Sequence, residues 1–126
     1  MIYLLDVSTL IALLWDLHVH NQRVTNWQSG QKLAVCPLTE LGFLRISTQP
    51  TFGATVSEAR RMLRDWKRAR KPLFVPCDLD SLESVEPTTG SRTTDFYLAS
   101  LASKHGMRLA TLDESIGHEA AFLIPP

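Results

Sequence analysis

Four acidic residues, Asp6, Glu40, Asp95 and Asp113, stand where a carboxylate is best explained by use. Asp6 directly follows the apolar run from Met1 to Leu5, and Asp113 follows the run from Arg108 to Leu112. Gly, Asn or Ser would be the bland choice at either place. Glu40 lies just past Lys32 to Cys36, at the start of a helical stretch, and Asp95 opens another. An acid in a first helical turn is favoured by the helix dipole by about 0.3–1 kcal/mol, so Glu40 or Asp95 alone says little. Four carboxylates at equivalent places say more. Gathered together they repel one another, and their pKa values rise unless a cation compensates. Mg²⁺ is the natural compensation, because it takes hard oxygen ligands and is often held by a few carboxylates plus substrate phosphate. Such an ion acidifies bound water and stabilises charge on a phosphodiester oxygen. Ser8 and Thr111 sit two residues from Asp6 and Asp113, where a hydroxyl can orient a carboxylate or a water. Two other readings stay open. Asp6 could be the nucleophile of an aspartyl-phosphate phosphohydrolase, although that chemistry wants a second acid where this chain has Ser8. The chain could also be a non-catalytic interaction module.

The elements that would bring the acids together follow from periodicity. Short apolar runs at Met1 to Leu5, Lys32 to Cys36, Leu73 to Val75, Arg108 to Leu112 and Ala121 to Ile124 predict buried strands. Between them, helices are predicted from a Ser8 or Thr9 cap to Leu14, over His20 to Gln28, over Thr39 to Thr48, and from Thr55 or Ser57 through Arg70. Another runs from Asp95 to His105 with a Thr93 or Thr94 cap, stopped by Gly106. Asp80 to Val85 predicts a short helix and Pro87 to Ser91 a loop. Strands alternating with helices imply an α/β protein with a parallel sheet. In such a sheet the strand C-termini and following helix N-termini share one edge, where ligand sites form. All four acids belong to that edge.

Composition narrows the classes. The 126 residues suit one domain over 1–126, and 44% hydrophobic residues exclude a disordered chain. Thirteen basic residues balance thirteen acidic ones, so any attraction to nucleic acid must be local. One local source is RRMLRDWKRARK at 60–71, with seven basic residues and one acidic. There Arg60, Arg61, Arg64 and Lys67 are candidate RNA contacts, against the bland reading of a solvated helix face. Cys36 and Cys77 sit in apolar contexts without a CxxC pair, which predicts reduced core thiols. Leu10 to Trp15 is too short to span a bilayer, and no signal segment is visible, so a cytoplasmic location is expected.

The same residues carry a resemblance. LLDVSTLIALLW (4–15), PLTELGFLRISTQP (37–50), TTDFYLASLASKHG (93–106) and LATLDES (109–115) resemble, in order and spacing, the PIN-domain family, particularly the VapC-type toxins of toxin–antitoxin pairs. The resemblance implies a PIN-like three-layer domain with four to five parallel strands flanked by helices. It also implies Mg²⁺- or Mn²⁺-dependent endoribonuclease activity, an RNA substrate, a homodimer and a cognate antitoxin protein. Carried over, Asp6, Glu40, Asp95 and Asp113 are the acidic quartet, and Ser8 and Thr111 stand at family-like hydroxyl positions.

Overall fold

The computed structural model describes residues 1–126. Five strands, β1 (Ile2–Leu5), β2 (Lys32–Val35), β3 (Leu73–Phe74), β4 (Arg108–Thr111) and β5 (Ala121–Leu123), form one sheet in the order β3-β2-β1-β4-β5. Every pairing is parallel. The helices are α1 (Val7–Leu14), α2 (Asn21–Gln28), α3 (Pro37–Ser47), α4 (Val56–Arg70) and α5 (Thr93–Lys104).

Because successive strand residues point to opposite faces, the apolar runs feed two cores. Leu4, Ala34 and Leu109 pack with Phe96, Leu98, Ala99, Leu101 and Ala102 of α5 on one face. Leu5, Leu33 and Ala110 pack with Leu10, Ile11, Val24, Phe43, Ala59 and Leu63 of the other four helices on the opposite face. The result is the three-layer arrangement expected, with five strands. Trp15, Trp27 and Trp66 are half-buried against the four-helix side. Arg70 fastens the end of α4, donating to Gln28 Oε1 at 2.7 Å and to the carbonyls of Gln28 and Gln31 at 2.8 and 3.0 Å.

Several local expectations change. Asp6, not Ser8 or Thr9, caps α1, its side chain accepting from the Thr9 N–H. A residue that ends a strand can cap the next helix directly when no loop intervenes. Helix α3 begins at Pro37 rather than Thr39, because proline's missing N–H costs nothing in a first turn. Asp80 to Val85 forms only a 3-10 turn, Ser81–Glu83. The loop expected at Pro87 to Ser91 winds into a second such turn, Gly90–Arg92, before α5 starts at Thr93. Neither Thr93 nor Thr94 caps α5. Arg92 holds the cap position, without a side-chain cap bond, and the Thr93 hydroxyl bonds the Gly90 carbonyl instead. Gly106 ends the helix as expected, at a φ of 68° that favours glycine. Cys36 is buried, but Cys77 is exposed beyond β3 and is not a core thiol.

Helices α1 and α3 meet unusually closely. A Cβ at Gly42 would lie 2.5 Å from Val7 Cγ2 and 2.9 Å from Val7 Cγ1. This approach packs the start of α1 against the middle of α3.

Candidate active site

Strands β2 and β3 lie to one side of β1, and β4 and β5 to the other. The chain therefore reverses its winding at β1, and the crevice outside the carboxyl ends of β1 and β4 is where such sheets bind ligands. Asp6 lies at the end of β1 and Asp113 two residues past β4. Asp6 N donates to Ala110 O at 3.2 Å, which ties the two strand ends together.

Asp6 is 4% exposed. Its Oδ1 accepts from Thr9 N at 2.8 Å and from the Ser8 hydroxyl at 3.1 Å. Burial pushes its carboxyl above the ordinary carboxylate value, against hydrogen bonding from Thr111, Thr9 and Ser8. No Lys, Arg or His pairs with it. Desolvating an anion without a cationic side chain is costly, which favours either the protonated carboxyl or a cation drawn to it.

Asp113 has the opposite environment. Arg92 Nη1 lies 2.5 Å from its Oδ2, while Ser115 binds Oδ1 through its hydroxyl at 2.7 Å and its N–H at 2.9 Å. The Arg92 guanidinium, then Ser115, hold its carboxyl down to about 2. The same Arg92 nitrogen lies 3.2 Å from Asp95 Oδ2, in the first turn of α5. Thr111 Oγ1 accepts from Asp113 N at 3.0 Å, fixing the turn that carries the acid.

Glu40 is held apart from these three. Its Oε2 lies 2.5 Å from Lys67 Nζ of α4, an ion pair that compensates its charge. The structure thus joins Asp95 and Asp113 through Arg92, links Asp6 to Asp113 through the β1 and β4 ends, and turns Glu40 toward the basic helix.

No three Asp, Glu, His or Cys side chains are gathered closely enough to hold one ion as they stand. The donor set nonetheless fits a hard divalent cation in kind. It consists of carboxylate oxygens, one of them, on Asp6, buried with no basic side chain beside it. The sequence reading missed Arg92 and Ser115. A signal for Arg92 was present: a cation at the start of a helix opposes the helix dipole and calls for acidic neighbours.

The basic stretch on α4 faces α3 across a groove of about 560 Å³, lined by Arg60, Arg64, Lys67 and Arg68 together with Glu40, Leu41, Leu44 and Leu63. Arg61, the fourth candidate RNA contact beside Arg60, Arg64 and Lys67, is not part of this lining.

Sheet order and layering together define a three-layer α/β protein with an acidic crevice at the carboxyl ends of its strands. The chain belongs to the PIN domain family, whose pattern matches residues 3–121. Ribonuclease VapC38 of Mycobacterium tuberculosis is 36% identical to it over 121 residues, covering 90% of this chain and 86% of that protein. Ribonuclease VapC29 of the same species is 35% identical over 133 residues, covering 99% and 98%. Among solved structures, VapBC2 from Rickettsia felis, bound to a DNA fragment from their promoter, superposes with a TM-score of 0.63. That likeness covers 98% of this chain and 97% of that one at 11% identity, and it is a likeness of fold. No helix is long and apolar enough to cross a membrane.

Proposed function

We propose that this protein is a metal-dependent endoribonuclease that hydrolyses RNA phosphodiester bonds, acting in the cytoplasm as the toxin half of a toxin–antitoxin pair. The observation that carries this reading is Asp6, a carboxylate buried at the end of the central strand, oriented by Thr9 and Ser8 and left without a cation. The relatives named ribonucleases support the same reading. Asp6, Asp95 and Asp113, with Glu40 as the fourth acid, would hold Mg²⁺ or Mn²⁺. When bound, the ion supplies an acidified water and stabilises charge on the phosphate. Ser8 and the Thr9 N–H fix the Asp6 carboxylate, Thr111 fixes the Asp113 turn, and the cations lining the α3–α4 groove draw the RNA backbone toward the acidic edge.

The test is cleavage of RNA by the purified protein. EDTA is expected to silence it, Mg²⁺ or Mn²⁺ to restore it, and the products to carry 5′-phosphates. Full cleavage in EDTA, or none in either metal, overturns the reading. In the same assay Arg60→Gln with Arg64→Gln is expected to raise KM, and the salt dependence of binding should flatten by about one unit of slope per lost phosphate contact. An unchanged slope removes the groove from the RNA path.

Partners follow from the same reading. A homodimer is proposed from the exposed apolar residues Leu41 of α3 and Leu73 and Phe74 of the edge strand β3, and sedimentation as a monomer at micromolar concentration would count against it. A cognate antitoxin is proposed on the strength of the VapBC neighbour, and undiminished cleavage by the saturated complex would count against occlusion of the acidic edge.

A further inference from the structure

Arg92 is the cation set between the candidate metal ligands. One of its nitrogens, Nη1, lies 2.5 Å from Asp113 Oδ2 and 3.2 Å from Asp95 Oδ2. The other, Nη2, donates to Ser115 Oγ, and Ser115 holds the remaining oxygen of Asp113. The guanidinium therefore engages both acids and the residue that orients one of them. Its position is not one a cation favours on helical grounds, because Arg92 is the cap residue of α5 and faces the positive end of the helix dipole. The two carboxylates are what keep it there. A divalent ion would need the same Oδ2 of Asp113, at roughly 2.0–2.1 Å. An ion there would compete with Nη1 for the lone pairs of that oxygen, and the two positive charges repel.

We propose that Arg92 is the resident counter-cation of Asp95 and Asp113, and that a divalent ion loads the site by displacing it. The proposal rests on the metal-dependent reading above. Arg92 keeps two acids paired in the metal-free protein that would otherwise repel, and it makes metal binding a competition. The loaded fraction then depends on the free ion concentration, because every ion bound must first break the contacts of a planar, multi-donor partner.

The experiment measures Mn²⁺ binding without RNA, by the electron paramagnetic resonance signal of the free ion. Wild type is compared with Arg92→Gln, Arg92→Lys and the surface control Arg45→Gln. The first variant is expected to bind Mn²⁺ about tenfold tighter, the order expected for losing a charge-assisted contact that is partly open to solvent. Arg92→Lys keeps the charge, and with it a safeguard for folding, but it cannot span both acids and Ser115; it is expected to fall between Arg92→Gln and wild type. The control should stay within about twofold, as surface substitutions usually do. Without metal, the melting temperature of Arg92→Gln should drop below that of wild type, and saturating Mn²⁺ should raise it by more. Equal or weaker Mn²⁺ binding by both Arg92 variants overturns the role of Arg92 while leaving the metal site standing. No Mn²⁺ binding by any of the proteins overturns the metal reading itself.

Discussion

Asp6→Asn is expected to reduce RNA cleavage on the order of a hundredfold or more, the scale seen when a preorganised electrostatic group is removed, while the protein still folds. Asparagine is as good a helix cap as aspartate and keeps an oxygen for Thr9 N–H and the Ser8 hydroxyl. It loses only the charge. The pH dependence of stability separates this from general damage. Burial raises the Asp6 carboxyl above its ordinary value of 3.8, so between 3.8 and its raised value the folded chain holds a proton that the unfolded chain has released. Stability contributed by Asp6 therefore falls as pH rises through that window. The asparagine variant escapes this loss. Its metal-free melting temperature should equal or exceed that of wild type at neutral pH, and the gap should close as pH falls toward 3.8. Asp113, held down to about 2 by Arg92 and Ser115, runs the other way, its contribution fading only in stronger acid. Retained cleavage by Asp6→Asn would remove Asp6 from the chemistry. A variant that melts far below wild type at every pH would make the loss structural.

Gly42→Val is the second large effect expected. Any Cβ at this position meets Val7 Cγ2 at 2.5 Å and Val7 Cβ at 3.3 Å, and Val7 is a β-branched residue with little χ1 freedom to yield. Overpacking of this kind costs about 1–3 kcal/mol. Relief requires α3 to move away from α1, which displaces Glu40 along with its helix. Urea unfolding should show a lower midpoint at unchanged slope. Gly42→Ala should cost less, because alanine recovers about 0.5–1 kcal/mol of helix propensity. Adding Val7→Ala should restore much of the loss, giving a coupling energy that independent sites do not show. A Gly42→Val protein as stable as wild type would mean that the close helix approach is not needed.

Much of this was readable in the residues. Asp6 and Asp113 stood out because a charged residue immediately after an apolar strand is hard to explain by packing, and the parallel sheet followed from the alternation of strands and helices. Helix α4 was readable from the 3.6-residue spacing of its apolar residues, of which Ala59 and Leu63 are buried as that spacing requires. Other features depend on three-dimensional placement. Lys67 belongs to a run of seven basic residues, and nothing in the run marks it as the one that meets Glu40. Gly42 looks like a helix-weakening glycine until α1 is seen against it. Arg92 lies 21 positions from Asp113, and only the return of the chain that packs β4 against α5 makes them neighbours. The carbonyl of Ala110 shows the same limit, binding Asp6 N and Thr9 Oγ1 from a position 101 residues away from Thr9.

That last separation has a consequence in time. At a synthesis rate of about 5–20 residues per second, the 101 residues between Thr9 and Ala110 take roughly 5–20 s to follow. During that interval β1 can pair only with β2, and its other edge stays open. Asp6 is then a solvated carboxylate on a half-built sheet, with Asp113 still to be made. A growing chain therefore has no assembled acidic edge until β4 closes beside β1, and the central position of β1 makes the candidate site wait on a strand made more than a hundred residues later.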